Sequence, residues 1–187
     1  MTLSSSMPWQ IGFINIERPG RGVTVSAMGI NGAQLSQWSK WRPGMWEDLA
    51  QTKADLIILA YGTNEAFSGN LDISSTERTW RNYIRQIKNT LPNAGILILG
   101  APESLKTAYG SCGNRPVLLS EVQQMQQRVA RDEKIMFWSW QDAMGGACSM
   151  KNWMAQGLAA KDGVHFSAQG YETVADKLAD SLIRFAQ

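Results

Sequence analysis

Three short apolar runs constrain the fold of this chain more than any other feature: Asp55-Leu-Ile-Ile-Leu-Ala60, Gly95-Ile-Leu-Ile-Leu-Gly100 and Ile135-Met-Phe-Trp-Ser-Trp140. Continuous apolar runs of this length, closed by turn residues, read as strands buried on both faces. Between the first two, residues 76–91 place Trp80, Tyr83, Ile84, Ile87 and Leu91 on one helical stripe that Pro92 ends. Residues 119–132 do the same with Leu119, Val122, Met125 and Val129. A last helix over about 168–186 aligns Tyr171, Val174, Ala175, Leu178, Leu182 and Ile183. Strands alternating with amphipathic helices imply right-handed crossovers and a mostly parallel sheet covered on both sides. Val23–Ala27 has the character of a further strand. Ile11–Glu17 fits the alternation less well, because Arg18-Pro-Gly-Arg-Gly22 turns the chain before a crossover helix can form. It reads as a hairpin or a lead-in.

Composition excludes several functions. With 187 residues, 44% hydrophobic and 18% charged, the chain suits one domain and is too apolar for wholesale disorder. Lys and Arg number 18 against 16 Asp and Glu, so no basic excess points to a nucleic-acid partner. No phosphate-cradling Gly-x-x-x-x-Gly-Lys-Ser/Thr loop occurs. The longest apolar run, Leu56–Ala60, is far below a membrane span, and residues 1–10 show no secretory signal. His165 is the single histidine, which excludes a multi-histidine zinc site and leaves one imidazole for any base.

Cys112 and Cys148 lie in glycine-containing loops, and two readings stay open: a disulfide in an oxidising compartment, or two unpaired thiols. Eight tryptophans are read mainly as packing, Trp80 and Trp138 in particular. Trp38, Trp41 and Trp46 fall in a loop-like stretch with Pro43 and Gly44, where their faces are also suited to stacking on a sugar ring.

Three places carry candidate chemistry, each at the carboxyl end of an expected strand or just before a helix, where ligands gather in parallel sheets. In Gly29-Ile-Asn-Gly32-Ala33 a glycine lets backbone N–H groups approach a ligand, or simply makes a turn. In Tyr61-Gly62-Thr63-Asn64-Glu65 the asparagine amide is placed to donate to an oxyanion, or merely caps the segment that follows. In Asp162-Gly163-Val164-His165, a spacing of three on a turn lets Asp162 hold the Nδ1–H of His165 and leave Nε2 as a base. The other reading is a packed or capping histidine.

Taken together, Gly32 of Asn31-Gly32, Gly62-Thr-Asn-Glu65 and Asp162-Gly-Val-His165 resemble three of the four signature blocks of the SGNH (GDSL-like) hydrolases. The likeness runs from about residue 22 to the end. Its most specific stretch includes Phe137-Trp-Ser-Trp140, Met144-Gly-Gly146, Ser149-Met150, Trp153, Gly157-Leu158, Asp162, His165-Phe166 and Gly170-Tyr171, and is similar to bacterial envelope enzymes that remove O-acetyl groups from peptidoglycan. The resemblance implies a three-layer α/β/α, flavodoxin-like parallel sheet. It further implies Asp162 and His165 as triad members and Gly32 and Asn64 as oxyanion donors. An O-acetylated glycan is the implied substrate, a periplasmic or extracellular site the implied location. No metal or organic cofactor is implied.

The fourth block, the Gly-Asp-Ser-Leu-type turn with the nucleophile, is missing: no Gly-Asp-Ser occurs in the chain. Family order leaves only residues 1–28 for this serine. Ser4, Ser5 and Ser6 follow no apolar strand, and Ser26 lies inside an expected one. In the family topology the missing strand lies between the Val23 and Asp55 strands, so the sheet is expected to be incomplete at its amino-terminal strand. The chain is therefore expected to comprise a lead-in over 1–21, the exit of an upstream module, and a hydrolase domain over 22–187, with an upstream segment supplying the serine. The rival expectation is a self-contained, inactive glycan-binding protein in which Ile11–Glu17 fills the gap and the Trp38–Trp46 region binds sugar. Oligomeric state is left open.

Overall fold

The ladder forms where the apolar runs predict it. In the computed structural model, which describes Gly20 and residues 22–185, β1 (Leu56–Leu59), β2 (Gly95–Leu99) and β3 (Met136–Trp138) form a parallel sheet in the order β1-β2-β3. Leu56 sits opposite Gly95 and Leu59 opposite Ile98, and Leu97 sits opposite Met136 and Leu99 opposite Trp138. Helices connect the strands: α1 (Met45–Thr52) precedes β1, and α2 (Thr63–Phe67) and α3 (Ile73–Thr90) lead to β2. From β2 the chain reaches β3 through α4 (Leu119–Asp132), then continues as α5 (Trp140–Met144), α6 (Ser149–Ala155) and α7 (Ala168–Phe185). This is the mixed α/β architecture expected, a parallel sheet flanked by helices.

Side-chain alternation along the strands divides the core. Leu59, Ile96 and Ile98 bury one face against Leu49 of α1, Trp80, Ile84 and Ile87 of α3, and Val122, Met125 and Val129 of α4. The second cluster gathers Met144, Met150, Trp153, Phe166 and Val174, with Trp138 packed against it. Trp138 Nε1 also donates to Ser181 Oγ of α7 at 3.1 Å. α7 therefore grips β3, and β1 lies at the opposite edge of the sheet. Consequently Ile58, on the face opposite Leu59, is 42% exposed, and β1 is not buried on both faces as its sequence predicts.

Local chemistry accounts for the other differences. α3 begins three residues before its apolar stripe requires, because Asp72 accepts a hydrogen bond from Ser75 N–H at 3.1 Å and caps it. β3 stops at Trp138, because Ser139 caps α5 by accepting from Asp142 N–H at 3.1 Å; Trp140 is helical. The tryptophan stretch expected to be loop-like is largely helical: a 3-10 turn over Leu35–Lys40 carries Trp38 and α1 carries Trp46, and both pack on the first core cluster.

The described residues divide into two units, one ending at Asn31 and one beginning at Gly32. In the first, residues 22–30 form neither helix nor strand. The strand expected over Val23–Ala27 is absent because no segment among the described residues pairs with it, and Val23 and Val25 are exposed. The expected segment Ile11–Glu17 and Ser4, Ser5 and Ser6 lie outside the described residues. No described helix is long and apolar enough to cross a membrane.

Of the two readings of the cysteines, the structure takes the disulfide. Cys112 and Cys148 are bridged with Cα atoms 4.8 Å apart, fastening the long connection after β2 to the start of α6. The buried Glu103 carboxylate reinforces the joint: it pairs with Arg115 Nε at 2.8 Å and accepts from Gln141 Nε2 at 2.5 Å and from Cys148 N–H at 3.2 Å. Closing a loop of 36 residues restricts the unfolded chain. Replacing both cysteines by serine is expected to lower unfolding free energy by about 3–4 kcal/mol in urea titrations.

Candidate active site

His165 lies on a loop whose own backbone closes it. Ala159 and Phe166 form an antiparallel bridge, and Ala160 N–H donates to His165 O at 2.8 Å. Between them Gly163 takes φ +71°, and a Cβ there would lie 2.9 Å from Leu105 Cβ, so the position requires glycine. Asp162 folds the turn with one oxygen and holds the imidazole with the other. Its Oδ1 accepts from Val164 N–H at 2.8 Å and His165 N–H at 3.0 Å, while Oδ2 lies 2.7 Å from His165 Nδ1. A carboxylate is acceptor-only, so Nδ1 carries the proton and, in the neutral ring, Nε2 keeps the lone pair. The His165 side chain is 73% exposed and Asp162 51%, which leaves the Nε2 edge accessible.

The packing next door orients this loop. Phe166 is buried, stacks on Trp140 at 5.3 Å, and meets Trp153 and Tyr171 edge-on at 5.6 and 5.4 Å. Leu105 N–H donates to Gly163 O at 2.8 Å, tying the loop to the chain that leaves β2.

The other two candidate residues are linked through the residues that follow Gly32. Gly32 has φ +75° and open space where a Cβ would be. Two residues on from Gly62, Asn64 lies in the first turn of α2 and donates from Nδ2 to Ala33 O at 3.0 Å. Gln34 Nε2 returns a bond to Asn64 O at 3.2 Å. Nδ2 bears two protons, and among the described residues Ala33 O takes one, so the second is available to an incoming oxygen.

Sequence reasoning missed the residues that join these parts. Gln126 of α4 is buried; its Oε1 accepts from Ala101 N–H at 2.8 Å and its Nε2 donates to Tyr61 O at 2.7 Å. Gln123 Nε2 donates to Ala101 O at 2.8 Å. A Cβ on Gly62 would lie 2.7 Å from Gln126 Nε2, so glycine permits the approach. The loop after β1, carrying Asn64, is thus bonded to the segment after β2, which Leu105 bonds to the Asp162–His165 loop. The only sequence signal was the glutamine-rich character of 119–132. Among the described residues of the second unit, no serine hydroxyl bonds to the His165 ring.

The arrangement offers a base oriented by a carboxylate, and an amide beside a glycine turn able to receive negative charge on oxygen. Comparisons with known proteins bear on the family of the chain. The sequence model of the GDSL-like lipase/acylhydrolase family matches residues 14–173. No curated protein matches. Among solved structures, a peptidoglycan O-acetylesterase is 68% identical with a TM-score of 0.84, over 86% of this chain and 46% of that one. The chain therefore spans less than half the length of that relative. An acetyl xylan esterase is 17% identical with a TM-score of 0.64, over 82% of this chain and 78% of its own. A lipase/acylhydrolase from Enterococcus faecalis is 15% identical with a TM-score of 0.58, over 81% and 71%. The last two show likeness of fold.

The hydrogen bonds from His165 N–H, the His165 ring and Val164 N–H hold the Asp162 carboxyl at about 2, below its ordinary value. A group depressed on folding stabilises the folded state above its unfolded pKa and loses that contribution as pH falls through its folded one. Carbon-detected NMR of the Asp162 carboxyl is expected to show a midpoint near 2, with the loop bonds intact at pH 4 and loosening as pH falls through about 2.

Proposed function

Because the chain belongs to the GDSL-like lipase/acylhydrolase family, we propose that it supplies the acid–base and oxyanion groups of a serine esterase that removes O-acetyl groups from a bacterial cell-wall or other polysaccharide. The observation that carries this reading is the 2.7 Å approach of Asp162 Oδ2 to His165 Nδ1, which presents Nε2 as a base. The 68% identity to a peptidoglycan O-acetylesterase supports an acetylated glycan as substrate.

In the proposed reaction His165 Nε2 takes the serine proton as Oγ attacks the acetyl carbon, and Asp162 stabilises the imidazolium. Gly32 N–H and the Asn64 amide receive the oxyanion, each worth about 3 kcal/mol in comparable sites. As the intermediate collapses, the ester C–O bond breaks and His165 returns the proton to the departing sugar oxygen. Water then attacks the acetyl-serine with His165 again as base. Acetate leaves.

We assign the serine to a strand that is not part of these 187 residues. The chain contains no Gly-Asp-Ser, and among the described residues one edge of β1 has no ladder partner. In this reading residues 22–187 belong to the hydrolase and residues 1–21 lead into it. The disulfide supports a periplasmic or extracellular setting, where such bonds persist.

A second reading, glycan binding without catalysis, is favoured by one observation: Trp38 and Trp41 stack at 4.8 Å and 19°, and Trp38 Nε1 donates to Tyr61 Oη beside the Asn64 turn. Acetate release from O-acetylated peptidoglycan separates the two. The chain alone is expected to release none, and addition of a polypeptide bearing a Gly-Asp-Ser-Leu-type strand and turn is expected to restore release that His165→Ala abolishes. Release by the chain alone, lost in His165→Ala, overturns the assignment of the serine. Absence of release in every mixture, with glycan binding that survives His165→Ala but is lost in Trp41→Ala, replaces the esterase reading by the binding one.

A further inference from the structure

One buried carboxylate has no part in the proposed reaction. Glu65 is 1% exposed, and its two oxygens are spent on two backbone donors from separate segments: Oε1 accepts from Leu35 N–H at 2.9 Å and Oε2 from Gly62 N–H at 2.9 Å. Leu35 lies three residues after Gly32, and Gly62 two before Asn64. The Leu35 bond, with those of Asn64 to Ala33 and of Gln34 to Asn64, laces residues 33–35 to residues 62–65, while the Gly62 bond closes the turn within 62–65. One carboxylate thus makes one of the three crossing bonds and also fixes the turn that carries Asn64.

We propose that Glu65 is a positioning residue for the oxyanion site, its carboxylate setting the spacing between the Gly32 N–H and the Asn64 amide. The proposal rests on the roles given above to Gly32 and Asn64. The chemistry demands an acid here. Two N–H groups converge on the side chain, and only a carboxylate answers both with acceptors and brings no proton of its own. A glutamine of the same shape would turn its NH2 toward one of them. Among the described residues no cation pairs with Glu65, so the backbone N–H groups alone compensate its buried charge. Burial raises the carboxyl above its ordinary value, and the N–H groups of Leu35, Glu65 and Gly62 oppose that rise.

The test uses the full chain, labelled with nitrogen-15, as wild type and as Glu65→Gln. The variant is expected to remain folded with the Asp162–His165 loop signals unmoved. The Gly62 and Leu35 amides shift, and with them the Asn64 side-chain pair and the Gly32 amide. Movement of Gly62 and Leu35 without Asn64 and Gly32 overturns the proposal, since Glu65 then only caps α2. Should Glu65→Gln not fold, Glu65→Asp, which keeps the charge and both oxygens, is read in the same way. Failure of both to fold also overturns it, because the carboxylate then serves the fold and not the site. In the esterase reconstituted with the serine block, Glu65→Gln is expected to lower kcat about 10–100-fold with KM unchanged. A reconstitution that yields no activity counts against the esterase reading alone, because the spectra decide the Glu65 assignment without turnover.

Discussion

Where β1 and β2 end, the ladder stops pairing backbone groups that are still buried, and those groups must find other partners inside the protein. Ala101 follows β2 with both its N–H and its carbonyl out of reach of a neighbouring strand. Gln126 and Gln123, on one face of α4, satisfy them, and Gln126 reaches on to Tyr61 O beyond β1. This amide pair converts two loose strand ends into one rigid platform. The Asn64 turn stands on one end of it and, through Leu105 and Gly163, the Asp162–His165 loop on the other. A gap left at Gln126 would strand two buried polar groups at once, each costing about 1–3 kcal/mol.

Two carboxylates around this platform show how environment assigns opposite tasks to the same group. Asp162 is half exposed and rich in N–H donors, so it stays ionised to about pH 2 and is always ready to orient the imidazole. Glu65 is almost wholly buried, and desolvation outweighs its hydrogen bonds. One lies at the solvent-exposed surface and holds the imidazole. The other holds backbone in place behind it.

The elements were legible where the physics is local. Helix α4 falls on the predicted 119–132 because its apolar stripe decides which face is buried, and Asp162–His165 was legible because a turn brings residues three apart together. Ser139 ended β3 early by capping a helix, a local competition that the apolar run Ile135–Trp140 conceals. The burial of Ile58 was misjudged for a different reason. Its covering depends on where α7 docks, and α7 bonds to Trp138 at the far edge of the sheet.

By itself the sequence determined the alternation of strands and helices, the single imidazole with its carboxylate partner, and the absence of a Gly-Asp-Ser nucleophile, since each of these is written in short windows. The pairing of Cys112 with Cys148, the bond of Leu35 to Glu65, and the bridging of Tyr61 and Ala101 by Gln126 were decided only by tertiary structure. Their partners lie 36, 30 and 65 residues apart along the chain. No periodicity records such a contact, because it exists only once the sheet has brought the strand ends side by side and shut water out from between them.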